Sequence, residues 1–205
     1  MMRLEEKIAP AHTALLVIDM QKDFAGPGGF RDKRGGDLSM AAEVIGRLPA
    51  VIEAARQAGV AVLYTQQIYD RTKLNPLQLE QYDLDGKAVT CDIAGDGWHF
   101  YGVQPPEGDV FVKYNYNAFS NPELENRLAA RGIKTLVIAG MDTFYCVETA
   151  IRNGFDLGYK IVVAEDLVAC NGKHRGLHER TLQLVEKSYG VVVTAEALRG
   201  IWSAA

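Results

Sequence analysis

Three residues of this sequence are of types that can do chemistry together: Asp19, Lys113 and Cys146. Asp19 follows the apolar run Thr13–Ile18, and Lys113 closes the run Asp109–Lys113. Cys146 stands just past a third run, Lys134–Ala139, where a helix is expected to begin. A cysteine at a helix start feels the positive end of the helix dipole, which favours thiolate, and a nearby ammonium favours it further. A carboxylate beside the thiol can take its proton as general base. The three therefore read as an activated cysteine nucleophile. Taken singly, each has a plainer role. A lone cysteine is often a small buried apolar group, an aspartate after a strand often caps a turn, and a strand-end lysine is often solvated or guards an edge. The chemical reading rests on all three lying on one edge of one sheet.

The elements that must place them there can be read along the chain. Thr13–Ile18 is continuously apolar, as in a strand buried on both faces. Glycines mark 20–38 as loop, with Gly26-Pro27-Gly28-Gly29 a turn rather than a phosphate cradle. Ser39 is read as the N-cap of a helix over about 40–57, stopped by Gly59. Val60–Thr65 is the next strand. Residues 66–108 have no clean period, so they form a functional loop or carry short structure of their own. The strand Asp109–Lys113 follows, then a helix from Asn121-Pro122-Glu123 to about Arg131. After the strand Lys134–Ala139 come a helix over about Tyr145–Leu157, the strand Tyr159–Ala164, the helix Leu177–Ser188 and a last strand Val191–Thr194. This alternation predicts an α/β fold with a parallel sheet covered by helices on both faces. Ligands in such folds sit beyond the carboxyl ends of the strands. Asp19, Gln66, Gln67, Lys113, the Gly140–Cys146 turn, Glu165 and Asp166 fall there.

Composition narrows the classes. The chain has 205 residues, 48% hydrophobic and 23% charged, an ordinary globular balance that excludes disordered and fibrous types. No repeat or linker divides it, so 1–205 is expected to be a single domain. A formal net charge of −4 argues against nucleic acid as partner. Thr135–Gly140 and Ala14–Ile18, the longest apolar runs, are too short to cross a membrane, and the N-terminus lacks a signal-peptide core. A cytoplasmic protein is expected. Three widely spaced cysteines form neither a disulfide framework nor a zinc knuckle.

The motifs around the three residues resemble those of the isochorismatase-like cysteine hydrolases. Thr13-Ala14-Leu15-Leu16-Val17-Ile18-Asp19-Met20-Gln21-Lys22-Asp23-Phe24 is similar to that family's opening motif. Val112-Lys113-Tyr114, followed by Ala118-Phe119, resembles its lysine motif. Ile138 to Ala150, continuing through Gly154-Phe155-Asp156-Leu157-Gly158-Tyr159, resembles its nucleophile motif and the helix after it. The resemblance covers about 12–198. It implies a Rossmann-like three-layer α/β/α sandwich with a mainly parallel six-stranded sheet, and an Asp19–Lys113–Cys146 triad. It implies an amidohydrolase that cleaves the C–N bond of a small carboxamide, carbamoyl or ureide compound through a thioester, without a cofactor. It also implies an oxyanion hole from the backbone N–H groups of Asp142 and Cys146, a cis Met141–Asp142 peptide, and a homo-oligomer, dimer or tetramer. Asp23-Phe24 and Gly28-Gly29 lean toward the ureidoacrylate and biuret hydrolase branches.

Two departures stand out. Asp142 occupies a position where the family has a small apolar residue, and is expected to hydrogen-bond locally. Phe144-Tyr145 is bulkier than usual and narrows the pocket. Phe24, Gln67, Trp98, Asn117, Phe119 and Tyr145 are the expected pocket residues. The metal ligands of the nicotinamidases are not matched: Gln66-Gln67-Ile68-Tyr69-Asp70 has no histidine, and His174 and His178 read as surface residues. No metal is expected. Two other functions fit less of the pattern. An isochorismatase-type vinyl-ether hydrolase uses the Asp and Lys without needing the cysteine. The other is a silent binding or scaffold module on the same fold; a phospho-receiver domain also keeps an Asp and a Lys at strand ends, but it wants an acidic pair after the first strand that Asp19-Met20 does not supply.

Overall fold

The computed structural model of the chain describes residues 2–85 and 89–204. Six strands form one sheet: β1 (Thr13–Ile18), β2 (Ala61–Gln67), β3 (Val110–Lys113), β4 (Thr135–Met141), β5 (Lys160–Ala169) and β6 (Gly190–Val193). Their spatial order is β3-β2-β1-β4-β5-β6, and every pair is parallel. The helices are α1 (Leu4–Lys7), α2 (Lys22–Ala25), α3 (Phe30–Lys33), α4 (Ser39–Gln57), α5 (Pro76–Asp85), α6 (Pro122–Ala130), α7 (Glu148–Asp156), α8 (Arg175–Leu184) and α9 (Ala195–Ser203).

Alternation along the central strands builds two cores. On β1, Leu15 and Val17 join a cluster with Val44, Leu48 and Val51 of α4 and with Leu198 and Trp202 of α9. Ala14, Leu16 and Ile18 join the opposite cluster, with Leu124 and Leu128 of α6 and Ala150 and Ile151 of α7. A strand sandwiched this way has no solvent face, which is why β1 and β4 read as unbroken apolar runs. The result is a three-layer α/β/α sandwich whose sheet is wholly parallel.

Several boundaries differ from those read off the sequence. β5 does not stop at Ala164. It crosses a register shift against β4 and runs on to Ala169, so Glu165 and Asp166 lie within the strand rather than at the functional edge. The Asp166 carboxylate turns instead to the start of α9, accepting the Ala195 N–H at 2.7 Å. Helix α9 itself was not expected. Its signals are an N-cap, Thr194, whose hydroxyl accepts the Ala197 N–H, and the buried pair Leu198 and Trp202 at i,i+4 spacing. Ser39 is the first residue of α4, not its cap; the Asp37 carboxylate accepts the Ser39 N–H. The long loop carries a helix, α5, between Asn75 and the undescribed residues 86–88.

Where β1 and β4 lie side by side, their ends need one glycine. Gly140 pairs with Ile18 and has φ +112°, and a Cβ there would lie 2.0 Å from the Ile18 carbonyl oxygen. Gly140→Ala is therefore expected to cost roughly 3 kcal/mol or more, from the φ and the backbone collision together. Urea unfolding checks this, and a loss below about 1 kcal/mol would contradict the account.

Candidate active site

The chain leaves β1 toward β2 on one side, while β4 leads to β5 on the other. The ends of β1 and β4 thus form the topological switch point where α/β sheets bind ligands. Asp19 leaves β1 with φ +45°, a left-handed conformation that aspartate tolerates better than most residues. Its N–H points to Thr65 on β2, and the Thr65 hydroxyl donates to Asp19 Oδ1 at 2.7 Å. Lys113 ends the edge strand β3 beside Gln67 of β2, yet its side chain is fully buried.

The lysine runs inward to meet the other two residues. Lys113 Nζ lies 2.7 Å from Asp19 Oδ2 and 3.4 Å from Cys146 Sγ. It also lies 2.9 Å from Gln67 Oε1 and 2.9 Å from the Asn115 carbonyl oxygen. Three ammonium protons thus face four acceptors, so the cation is held by dipoles as well as by charge. Burial pulls the Lys113 ammonium down, but Asp19 and Cys146 more than offset this, and its pKa stands above the ordinary value. Asp19 Oδ1 and Oδ2 therefore have different neighbours: a neutral hydroxyl on one side, the ammonium on the other.

Cys146 lies in a π-helical turn, Thr143–Val147, just ahead of α7. The turn is braced from below, where the Thr143 hydroxyl is 2.9 Å from His178 Nδ1. His178 is buried, contrary to the surface position expected, because this contact draws α8 under the turn. The helix dipole and the lysine favour thiolate, and the burial of the site works against them. Burial pushes the Cys146 thiol well up; Lys113 pulls it back, and Asp19 and Asp142 push it further up. Asp19 is close enough to the sulfur to raise its pKa, so a base stands beside the thiol. A base at that position is what such a thiol requires before it can attack. Among the described residues, Cys146 is the cysteine hydrogen-bonded to Lys113. Cys170 sits elsewhere, against the Asn171 carbonyl, its thiol pushed up to about 11 by burial.

Cys146 opens onto a cavity of about 530 Å³. Phe24, Gln67 and Tyr145 of the expected pocket residues line it. Trp98, Asn117 and Phe119 do not. Trp98 turns its indole N–H to the Gly95 carbonyl, and its own carbonyl accepts from Gln21 and Gln66. Asn117 caps the turn after it and donates to Asn153. Phe119 stacks on Tyr159 over the α6–α7 core. The walls missed by sequence reasoning are mostly aromatic and amide side chains. Tyr69 meets Tyr82 edge-on, Tyr116 stacks on Tyr145, and Asn75 and Gln78 come from the start of α5. Their only sequence signal was the crowding of aromatics in the loops.

Asp142 also lines the cavity. The Met141–Asp142 peptide is cis. The Asp142 side chain does hydrogen-bond, but with a residue far off in sequence: Arg31 Nη2 lies 2.6 Å from Oδ1 and 2.5 Å from Oδ2. Burial pushes the Asp142 carboxyl up, and Arg31 pulls it down. Asp23 ties the loops around this edge together. Its carboxylate accepts the Phe30 N–H at 2.8 Å and the Cys91 N–H at 2.7 Å. No group of three or more His, Cys, Asp or Glu side chains suited to a metal ion occurs among the described residues. Nor is any helix long and apolar enough to cross a membrane.

Comparison with known proteins bears on the fold and the family. A family model, the isochorismatase domain, matches residues 13–197. The ureidoacrylate amidohydrolase RutB of Azorhizobium caulinodans is 34% identical over 211 residues, covering 94% of this chain and 91% of its own. A cysteine hydrolase from Pseudomonas syringae pv. phaseolicola superposes with a TM-score of 0.81 at 26% identity, over 97% of this chain and 96% of that one. N-carbamoylsarcosine amidase from Thermoplasma acidophilum superposes with a TM-score of 0.69 at 25% identity, over 90% of this chain and 97% of that one. With the sheet order, the strand-end residues and a family match over nearly the whole length all in agreement, the chain belongs to the isochorismatase family.

Proposed function

We propose that Cys146 is the nucleophile of an amidohydrolase whose substrate is a small ureide or carbamoyl compound, and that Asp19 and Lys113 complete its catalytic triad. The observation that carries this reading is the contact of one buried thiol with one carboxylate and one ammonium at the end of a cavity. The chain is a hydrolase of non-peptide C–N bonds, as its amidohydrolase relatives are.

In the first half-reaction Cys146 gives its proton to the Asp19 carboxylate as sulfur attacks the substrate carbonyl. The backbone N–H groups of Asp142 and Cys146 hold the oxygen as it becomes an oxyanion, a contact worth roughly 3 kcal/mol per donor. The intermediate collapses, the C–N bond breaks, and Asp19 returns the proton to the departing nitrogen. Ammonia or an amine leaves, and the acyl group remains as a thioester. Water then attacks, losing a proton to Asp19. The thioester C–S bond breaks, the acid is released, and sulfur recovers the proton. Lys113 stays charged throughout and keeps Asp19 aimed at the sulfur.

The similarity to ureidoacrylate amidohydrolases supports a ureide, and the amide side chains of Asn75, Gln78 and Gln67 supply partners for one. Exposed Leu77, Tyr116 and Tyr145 at the cavity rim support a homo-oligomer. Three free thiols fit a reducing, cytoplasmic setting.

The test is ammonia release from biuret, ureidoacrylate, N-carbamoyl amino acids, maleamate and nicotinamide. Turnover is expected among the carbamoyl and ureide members. Silence on the whole panel would overturn the reading.

A further inference from the structure

The Arg31–Asp142 pair stands beside the reacting atoms, and none of the steps above uses it. In the reading above the Asp142 backbone N–H serves the oxyanion, yet the same residue, which lines the cavity beside Cys146, carries a carboxylate. An unneutralised carboxylate at that position opposes the negative charge that develops on the carbonyl oxygen. The field of Asp142 already reaches the sulfur, whose thiol it pushes up.

Arg31 answers that charge. Its Nη2 touches both carboxylate oxygens, and the two side chains are 9% and 14% exposed. The surrounding loop delivers the guanidinium to this spot. Asp23 accepts the Phe30 N–H at the start of α3, and the Gly36 N–H donates to the Arg31 carbonyl at 2.9 Å. A Cβ on Gly36 would lie 2.4 Å from Arg31 Cγ, so the arginine stem passes over bare backbone. Arg31 Nη1 is buried without a hydrogen-bond partner in the described structure. A guanidinium left half-satisfied in this way is held for the contact at its other end.

We propose that Arg31 is a positioning residue for the oxyanion: it turns the Asp142 carboxylate aside and cancels its charge, leaving the Asp142 N–H to stabilise the transition state. The proposal rests on the amide-hydrolysis reading of the site. The groups near the Asp142 carboxyl are Arg31 from α3, Asp19 after β1, His174 ahead of α8, Cys146 in the next turn, and Cys170 just after β5.

The experiment is steady-state hydrolysis of the fastest ureide of the panel by Arg31→Gln, Asp142→Asn and the double variant, across pH. Without Arg31, burial leaves the carboxyl with a high pKa. It is then neutral in acid and charged in alkali, so the damage grows as pH rises. Arg31→Gln is expected to lower kcat by about a hundredfold near pH 8.5, with KM changed by less than about threefold. The loss should shrink toward about pH 5.5 as the carboxyl takes up a proton. In the Asp142→Asn background the same substitution should cost less than about fivefold at any pH, because no charge remains to cancel. Arg31→Lys, which keeps the charge, should retain kcat within about tenfold of native. An equal loss in both backgrounds would mean that Arg31 merely supports the loop, and would overturn the proposal. So would an Arg31→Gln variant within about threefold of native across the range. If the native protein is itself silent on every panel member, the hydrolysis reading fails and the proposal falls with it.

Discussion

Cys146→Ala is expected to abolish ammonia release from every ureide that the native protein hydrolyses, with kcat falling by about 10⁴-fold or more. The size follows from the chemistry. Without sulfur, water must attack the carbonyl directly, and the cluster keeps only its oxyanion donors and its binding energy. The substitution removes little volume from a small buried site, so folding should survive, and a thermal melt beside the activity assay separates the two effects. Cys146→Ser is expected to be nearly as inactive, because a serine hydroxyl is a far weaker acid than even a thiol raised by burial. Retained activity in Cys146→Ala would remove the cysteine from the mechanism. Retained cleavage of a pyruvate enol ether in that variant would point instead to vinyl-ether hydrolysis.

The second large effect falls on stability. Lys113 and Asp19 form an ion pair with both side chains at 0% exposure. Lys113→Met fills the same space without the charge. It leaves the Asp19 carboxylate buried with, among the described residues, the Thr65 hydroxyl and its thiol neighbour as partners. Breaking one side of a buried pair typically costs about 3–5 kcal/mol, because the remaining charge has lost its counter-ion. Urea unfolding should show a loss of that order, and hydrolysis should disappear with it. Lys113→Met combined with Asp19→Asn should regain most of the stability, since no unpaired charge is left, while remaining inactive. That contrast is the informative one: stability without turnover separates the pair's structural part from its chemical part. A single Lys113→Met variant as stable as native would show that the pair contributes nothing to folding.

Much of this site was legible one-dimensionally because β1 and β4, which lead to Asp19 and Cys146, are central and buried on both faces. Such strands must be continuously apolar, so the first polar residue after the run marks the strand end, as Asp19 does after β1, while Lys113 closes the short edge strand β3. The ends of parallel strands share one edge, so order along the chain converts directly into proximity. β5 broke this logic. Its irregularity puts Glu165 and Asp166 in mid-strand, where they mimic an end without being one. The pocket walls were less legible for a different reason. Trp98, Asn117 and Phe119 have the right character, but other partners claim them first: nearby backbone groups for Trp98 and Asn117, and the Tyr159 ring for Phe119. Phe24, Gln67 and Tyr145 reach the cavity because the turns that carry them point that way.

By itself the sequence determined the alternation of strands and helices, the parallel sheet, the three reactive residues and the family. All of these follow from local patterning and from short motifs on strand ends. Only the tertiary structure decided how deeply Cys146 is buried, because desolvation is a property of the packed site, and it pushes the thiol up against the pull of Lys113. It also decided the fate of Asp142. A carboxylate beside an oxyanion is a liability or a neutral neighbour according to what stands behind it. What stands behind it is Arg31, 111 residues away along the chain and 2.6 Å away in space.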